Sequence, residues 1–237
     1  MSTERPCIYL LCGILCDART WQAQAEALRA SHEVRVVSFD GHDSLAAMAA
    51  DVLAGAPPRF ALAGHSMGGR VALEIMRAAP ERVERLALLD TGYEGVADGE
   101  AERRAPLVRR ALDEGIDAIA ATWALPMLAP ARRADAALVD DILAMVGRRS
   151  AQAYADHTRA LLNRPDASAL LPRIACPSLL LCGLEDGWSP PERHREMARL
   201  IPHSQLRLVE QCGHMAPMEQ PQAVLRALEE WLAWPPR

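Results

Sequence analysis

The chain has 237 residues, half of them apolar, and 26 basic residues against 31 acidic ones give a net charge of −5. That length suits one large α/β domain or a domain carrying an insertion, and the lack of any basic block argues against a nucleic-acid partner, which needs a concentrated positive face. All 26 basic residues are arginine, so Schiff-base chemistry, a pyridoxal-phosphate linkage and a phosphate-binding P-loop, each needing a lysine amine, are excluded together. The arginine and alanine bias points to a high-GC bacterial gene. No window approaches the ~18 uninterrupted apolar residues of a membrane span. The opening "MSTERPCIYLLCGILCDART" lacks a cationic n-region and a signal-cleavage pattern. A soluble cytoplasmic protein is therefore expected, with no membrane partner. The six cysteines, Cys7, Cys12, Cys16, Cys176, Cys182 and Cys212, sit mostly in apolar runs and read as buried free thiols. Cys12 and Cys16 flank Gly13 without a paired Cys-x-x-Cys, so no metal site is expected there.

In chain order, six short apolar runs predict strands: "CIYLLCG" from Cys7, "VRVVSFD" from Val34, "RFALAG" from Arg59, "RLALLD" from Arg85, "SLLLCG" from Ser178 and "QLRLVE" from Gln205. Their near-continuous hydrophobicity is that of strands buried on both faces. Amphipathic helical stretches follow at 21–30, 45–53, 71–79, 192–201 and 222–231, the third stopping at Pro80. Alternation of this kind implies crossover connections and a mostly parallel, doubly wound sheet of about six strands. The spacing breaks once, between Asp90 and Ser178. There "AERRAPLVRRALDEGIDAIAATWALPML", "ADAALVDDILAMVGRR" and "AYADHTRALLNR" carry helical patterns with little strand character. The expected organisation is a core at 1–94 and 173–237 and a helical lid inserted at 95–172.

Ligands of an open parallel sheet bind beyond the carboxyl ends of its strands. Three chemically competent residues follow strand ends there. Ser66 follows the third run in "ALAGHSMGGRVALEI", Asp186 the fifth in "LLLCGLEDGWSPPE", and His214 the sixth in "RLVEQCGHMAPME". A chance Gly-x-Ser-x-Gly arises in roughly one chain in ten of this length, so the convergence matters more than the pattern. A serine raised above a sheet sits on a sharp strand-to-helix turn, which requires small neighbours at Gly64 and Gly68. The amide of Met67, at a helix N-terminus, then points to where an oxyanion would form. A second amide is expected from the loop after the first strand, at Ile14 or, if the loop shifts, at Leu15.

"GHSMGG", "CGLEDGWSPPE" and "CGHMAPMEQP", with the spacing between them, resemble the serine α/β-hydrolases, in particular small bacterial esterases and enol-lactonases. The likeness spans essentially the whole chain. It departs from that pattern at Cys12-Gly13, where the family usually has His-Gly, and at the short "FDGHDS" after the second run; the family's leading antiparallel hairpin is expected to be missing. The resemblance implies a Ser66–Asp186–His214 triad acting on a small ester or lactone through an acyl-enzyme, with no cofactor and no metal. Glu185 and Asp90 remain alternatives for the acid. Serine at the elbow argues against haloalkane and epoxide chemistry, which need a carboxylate there. A 3-oxoadipate enol-lactonase-like activity, carbon–carbon bond hydrolysis, cofactor-free perhydrolysis and a non-catalytic small-ligand binding module remain open. A buried arginine facing Ser66 would favour a carboxylated lactone.

Trp123, Met127, Leu128, Met145, Trp188, Tyr93 and Met215 are candidate pocket residues, although helical spacing equally fits lid-to-sheet packing. His65 and His42 read as packing and loop residues. The arginine pairs at 103/104, 109/110, 132/133 and 148/149 read as solvated faces, with one of them or Arg70 available for a substrate carboxylate.

Overall fold

Each apolar run forms a strand because its β-branched and leucine-rich side chains fit a surface packed on both sides. In the computed structural model, which describes residues 5–235, these are β1 (Cys7–Leu11), β2 (Glu33–Val37), β3 (Phe60–His65), β4 (Val83–Leu89), β5 (Ser178–Gly183) and β6 (Ser204–Val209). They form one sheet in the order β2-β1-β3-β4-β5-β6, every neighbouring pair parallel. Residues 1–4 and 236–237, the outer ends of the expected core, lie outside the described residues; within them, no antiparallel hairpin precedes β1. Burial on both faces holds for β1, β3 and β5 at every position. The edge strands β2 and β6 are only partly covered, and there Arg35 and Arg207 reach carboxylates of Glu33 and Glu230.

The helices are α1 (Gln22–Leu28), α2 (Leu45–Gly55), α3 (Met67–Ala78), α4 (Glu100–Glu114), α5 (Asp117–Ala124), α6 (Ala136–Gly147), α7 (Ala151–Leu162), α8 (Pro191–Leu200), α9 (Ala216–Glu219) and α10 (Pro221–Leu232). None among the described residues is long and apolar enough to cross a membrane. Helix α3 starts four residues earlier than the periodicity predicts, directly after Ser66, and packs on β3 and β4. Helix α1 packs with α10, and α8 with β5 and β6.

Helices α4 to α7 pack chiefly on one another. They are tied to the loops at the carboxyl ends of β1 and β2. Arg19 pairs with Asp141 at 2.7 Å, Arg148 with Asp17 at 2.9 Å and Arg159 with Asp43 at 3.0 Å; Arg149 pairs with Asp40. A buried bond from His157 Nε2 to the Phe39 carbonyl, 2.6 Å, adds a tether that solvent does not screen. The helical segment therefore lies over the end of the sheet where ligands bind in this architecture.

Candidate active site

A glycine-flanked turn between β3 and α3 places Ser66 at φ 54°, ψ −118°, backbone that costs a non-glycine residue about 1–3 kcal/mol. The surroundings hold it there. The Ser66 amide donates to the Leu89 carbonyl at 2.9 Å, and the Thr91 hydroxyl donates to the Ser66 carbonyl at 2.7 Å. A Cβ on Gly64 would stand 2.3 Å from the Gly68 carbonyl oxygen, and one on Gly68 2.3 Å from that of Leu11. Both glycines are thus imposed by backbone closing on backbone, as the pattern predicts.

Three loop residues from three strand ends meet here. The Ser66 Oγ lies 2.8 Å from His214 Nε2, and His214 Nδ1 lies 2.8 Å from Asp186 Oδ2. The ionised carboxylate accepts from Nδ1–H, which leaves Nε2 as the acceptor for the serine hydroxyl. Burial opposes the charge on Asp186, but His214 and the amides of Ser189 and Trp188 hold its carboxyl down to about 2. Glu185, the neighbouring alternative, is exposed. Asp90, the other, is fully buried and accepts from the amides of Gly183 and Ala216 at 3.0 and 3.2 Å, with no hydrogen bond to His214, whose Nδ1 is taken by Asp186. Burial, then the charge of Asp186, pushes its carboxyl well above the usual range. Asp90, Cys182 and Asp186 bring ligand-type atoms within 4.8 Å of one another. These carboxylates already receive N–H donors and the Cys182 thiol is pushed up by burial, so the cluster is built for hydrogen bonds rather than a cation.

His65 packs as the sequence suggests. Its Nε2–H donates to the His214 carbonyl at 2.7 Å, and burial followed by the nearby His214 pushes it down to about 3, so the ring stays neutral.

Ser66 and His214 open onto a cavity of about 830 Å³ whose wall includes Ile14, Met67, Trp123 and Trp188. The amides of Met67 and Ile14 have no acceptor among the described residues. Leu15, the alternative donor, is buried at φ 55° outside the cavity wall. The Trp188 ring leans over His214 with centroids 5.8 Å apart and packs edge-on to Trp123. Met127, Leu128, Met145, Tyr93 and Met215 do not line the cavity. The Met145 sulfur accepts from Thr20 at 3.3 Å, Tyr93 turns toward Glu196, and Met127, Leu128 and Met215 pack around the His214 loop.

A family model described as the alpha/beta hydrolase family matches residues 8–227. The chain belongs to the alpha/beta hydrolase family. As a member it is an enzyme of the hydrolase class. It is 31% identical to a thermophilic esterase from Thermogutta terrifontis, solved with malate bound, at a TM-score of 0.88 over 97% of this chain and 90% of that one. It is 30% identical to a pimeloyl-[acyl-carrier protein] methyl ester esterase of Chromobacterium violaceum over 97% of this chain and 95% of the relative. An enol-lactonase from Burkholderia xenovorans has the same fold at a TM-score of 0.88 and 23% identity, covering 98% of this chain and 92% of its own.

Within this hydrolase, sequence reasoning missed Glu219. Its buried carboxylate accepts from the amides of Ala129, Gly213 and Met215 at 2.8, 3.0 and 3.0 Å. It thereby pins both sides of His214 to the 127–129 segment, where the Met127 carbonyl accepts from the His214 amide at 2.7 Å. The signal available was an acid five residues beyond the histidine. The cavity wall carries Arg70, Arg103 and Arg104, which the sequence offers for a substrate carboxylate, and Arg164 and Arg193, which it does not, against Glu94 and Glu100.

Proposed function

We propose that this hydrolase cleaves a small carboxylic ester or lactone through an acyl-enzyme formed on Ser66, with 95–172 serving as a lid. The observation that carries this reading is the continuous hydrogen-bond chain from Ser66 through His214 to Asp186, 2.8 Å at each step, opening onto the large cavity. Esterases 30 and 31% identical to the chain support an ester as the bond cleaved.

In the reaction, Ser66 Oγ attacks the substrate carbonyl carbon while His214 Nε2 takes the hydroxyl proton. The carbonyl π electrons move onto oxygen, and the Met67 and Ile14 amides hold the oxyanion; one such donor is worth about 3 kcal/mol. Collapse expels the alkoxide, which His214 protonates. Water then attacks the acyl-serine with His214 again as base, and the acid leaves as Ser66 regains its proton. Asp186 keeps the imidazole in the productive tautomer and stabilises its cation.

The test is initial rates on p-nitrophenyl esters of increasing acyl length, with Ser66→Ala in parallel. The expected result is hydrolysis with a length optimum, lost by about 10⁴-fold or more in the folded variant. Near-wild-type turnover by Ser66→Ala would refute the assignment. Absence of serine-dependent turnover on any ester would move the reading to carbon–carbon cleavage, perhydrolysis or a silent binding site.

A further inference from the structure

Five arginines and two glutamates line the cavity of a protein whose overall charge is −5. The glutamates do not cancel the arginines. Glu100 is held by both nitrogens of Arg164's fork, at 2.8 and 2.6 Å, and by Arg104 at 2.9 Å. Glu94 is taken by Arg193 at 2.6 Å, leaving a stretched contact of 3.8 Å to Arg70. Arg164 spends its remaining donors on backbone carbonyls.

Arg70 differs from its neighbours. Its guanidinium, 13% exposed, makes one hydrogen bond among the described residues, from Nη1 to the Glu94 carbonyl at 2.6 Å. It stands one helical turn beyond Ser66, its amide 3.4 Å from the Ser66 carbonyl. Residues at i and i+4 share a helix face, with Cβ atoms about 5–6 Å apart. Gly92 makes the convergence possible, since a Cβ there would come 2.7 Å from Arg70 Nη2 and 2.8 Å from Arg193 Cδ. A largely buried cation with vacant donors in a low-dielectric wall is incomplete without an anion. A carboxylate matches the planar fork in two parallel hydrogen bonds. Trp123, also on the wall, has a buried indole N–H without a partner among the described residues.

We infer that Arg70, seated by Gly92 and backed by Arg164 and Arg193, binds a free carboxylate on the substrate, so that the natural substrates are half-esters or lactones of small dicarboxylic acids. This rests on the hydrolase reading above and names its substrate class. Burial and the neighbouring Arg164 disfavour the Arg70 charge, and an arriving carboxylate relieves that penalty.

The test compares mono-p-nitrophenyl glutarate with its terminal amide, which has the same length and no charge, and titrates glutarate and glutaramide calorimetrically into wild type, Ser66→Ala and Arg70→Gln. The expected result is a kcat/KM preference of about tenfold or more for the acid, carried in KM. Glutarate should bind wild type and Ser66→Ala alike and glutaramide far more weakly. Arg70→Gln should erase both preferences, and Arg70→Lys should restore part of them even if Arg70→Gln proves unstable. Equal rates on acid and amide, or a preference surviving Arg70→Gln, would overturn the subsite while leaving the hydrolase standing. Arg70-dependent glutarate binding without turnover of either ester would instead keep the subsite and remove the hydrolase reading.

Discussion

The rim of the sheet and the helical segment above it meet at one cavity but are held by different forces. At the rim, Ser66, His214 and Asp186 sit on turns fixed by backbone hydrogen bonds, by glycines with no room for a Cβ, and by the buried carboxyl groups of Asp90 and Glu219. In the helical segment, charged side chains on α6 and α7 grip the loops below through mostly exposed ion pairs. The rim is therefore suited to holding the side chains that face the cavity in register, Arg70 of α3 among them, whereas the segment is held by contacts that are individually weak.

The sharpest way to break this contrast is at the rim's hydrogen-bond chain. Asp186→Asn keeps the shape but offers His214 the wrong tautomer, and kcat on an ester substrate is expected to fall by roughly 10⁴-fold. Unchanged kcat would mean that Asp90 or Glu185 supplies the acid.

Next in size is a pair of glycines. Gly68→Ala drives a Cβ to 2.3 Å from the Leu11 carbonyl, whereas Gly115, between α4 and α5, has φ 92° and open space around it. Gly68→Ala is expected to lose more than about 4 kcal/mol or to fail to fold, and Gly115→Ala to lose about 1–3 kcal/mol. Urea unfolding of the two variants checks the order; similar losses would erase the contrast.

Acid loads both regions, since burial also pushes His157 of α7 down from 6.5, as it does two histidines of the core. Burial first, then His214, pushes His65 down to about 3, and burial pushes His194 down to about 4, from 6.5 in the unfolded chain. Between those values the unfolded chain binds protons that the fold refuses. The contribution of these two rings is thus complete above pH 6.5 and lost as pH falls toward 3 to 4, by up to about 1.4 kcal/mol per pH unit for each ring. Glu100 in the helical segment, held down to about 2 by Arg164 and Arg104 against burial, adds its loss only as pH falls from 4.5 toward 2. Urea titrations at pH 7, 6 and 5 should show the first loss, with a shallower slope in His65→Gln. A flat profile above pH 5 would contradict neutral buried rings.

The smallest effect is expected where the segment is tethered. Arg148 is half exposed in its pair with Asp17, and Arg148→Ala should change unfolding free energy by less than about 1 kcal/mol.

Much of the rim was legible because its requirements are local. Continuous apolar runs mark central strands, two glycines mark the elbow, and Ser66, Asp186 and His214 each follow a strand end in sequence. The cavity wall was not legible, since direction depends on packing between helices. Met127 and Met145 have the composition of pocket residues yet are buried away from the cavity wall, while only the packing of α4 decides that, of the paired arginines, Arg103 and Arg104 reach the cavity. Arg70 was visible one turn after Ser66, but its vacant donors appear only once Glu94 is seen committed to Arg193. Glu219 escaped because its three partners are backbone amides, which no side-chain pattern records.

The central claim, that Ser66 is the nucleophile, is met most directly by covalent trapping. The folded protein is treated with a small fluorophosphonate, and intact mass and peptide mapping locate the adduct while ester hydrolysis is followed in parallel. The expected result is one phosphonyl group per chain on the peptide bearing Ser66, added in step with loss of activity and absent from Ser66→Ala. Full inactivation with the adduct elsewhere, or hydrolysis persisting with Ser66 fully modified, would contradict it.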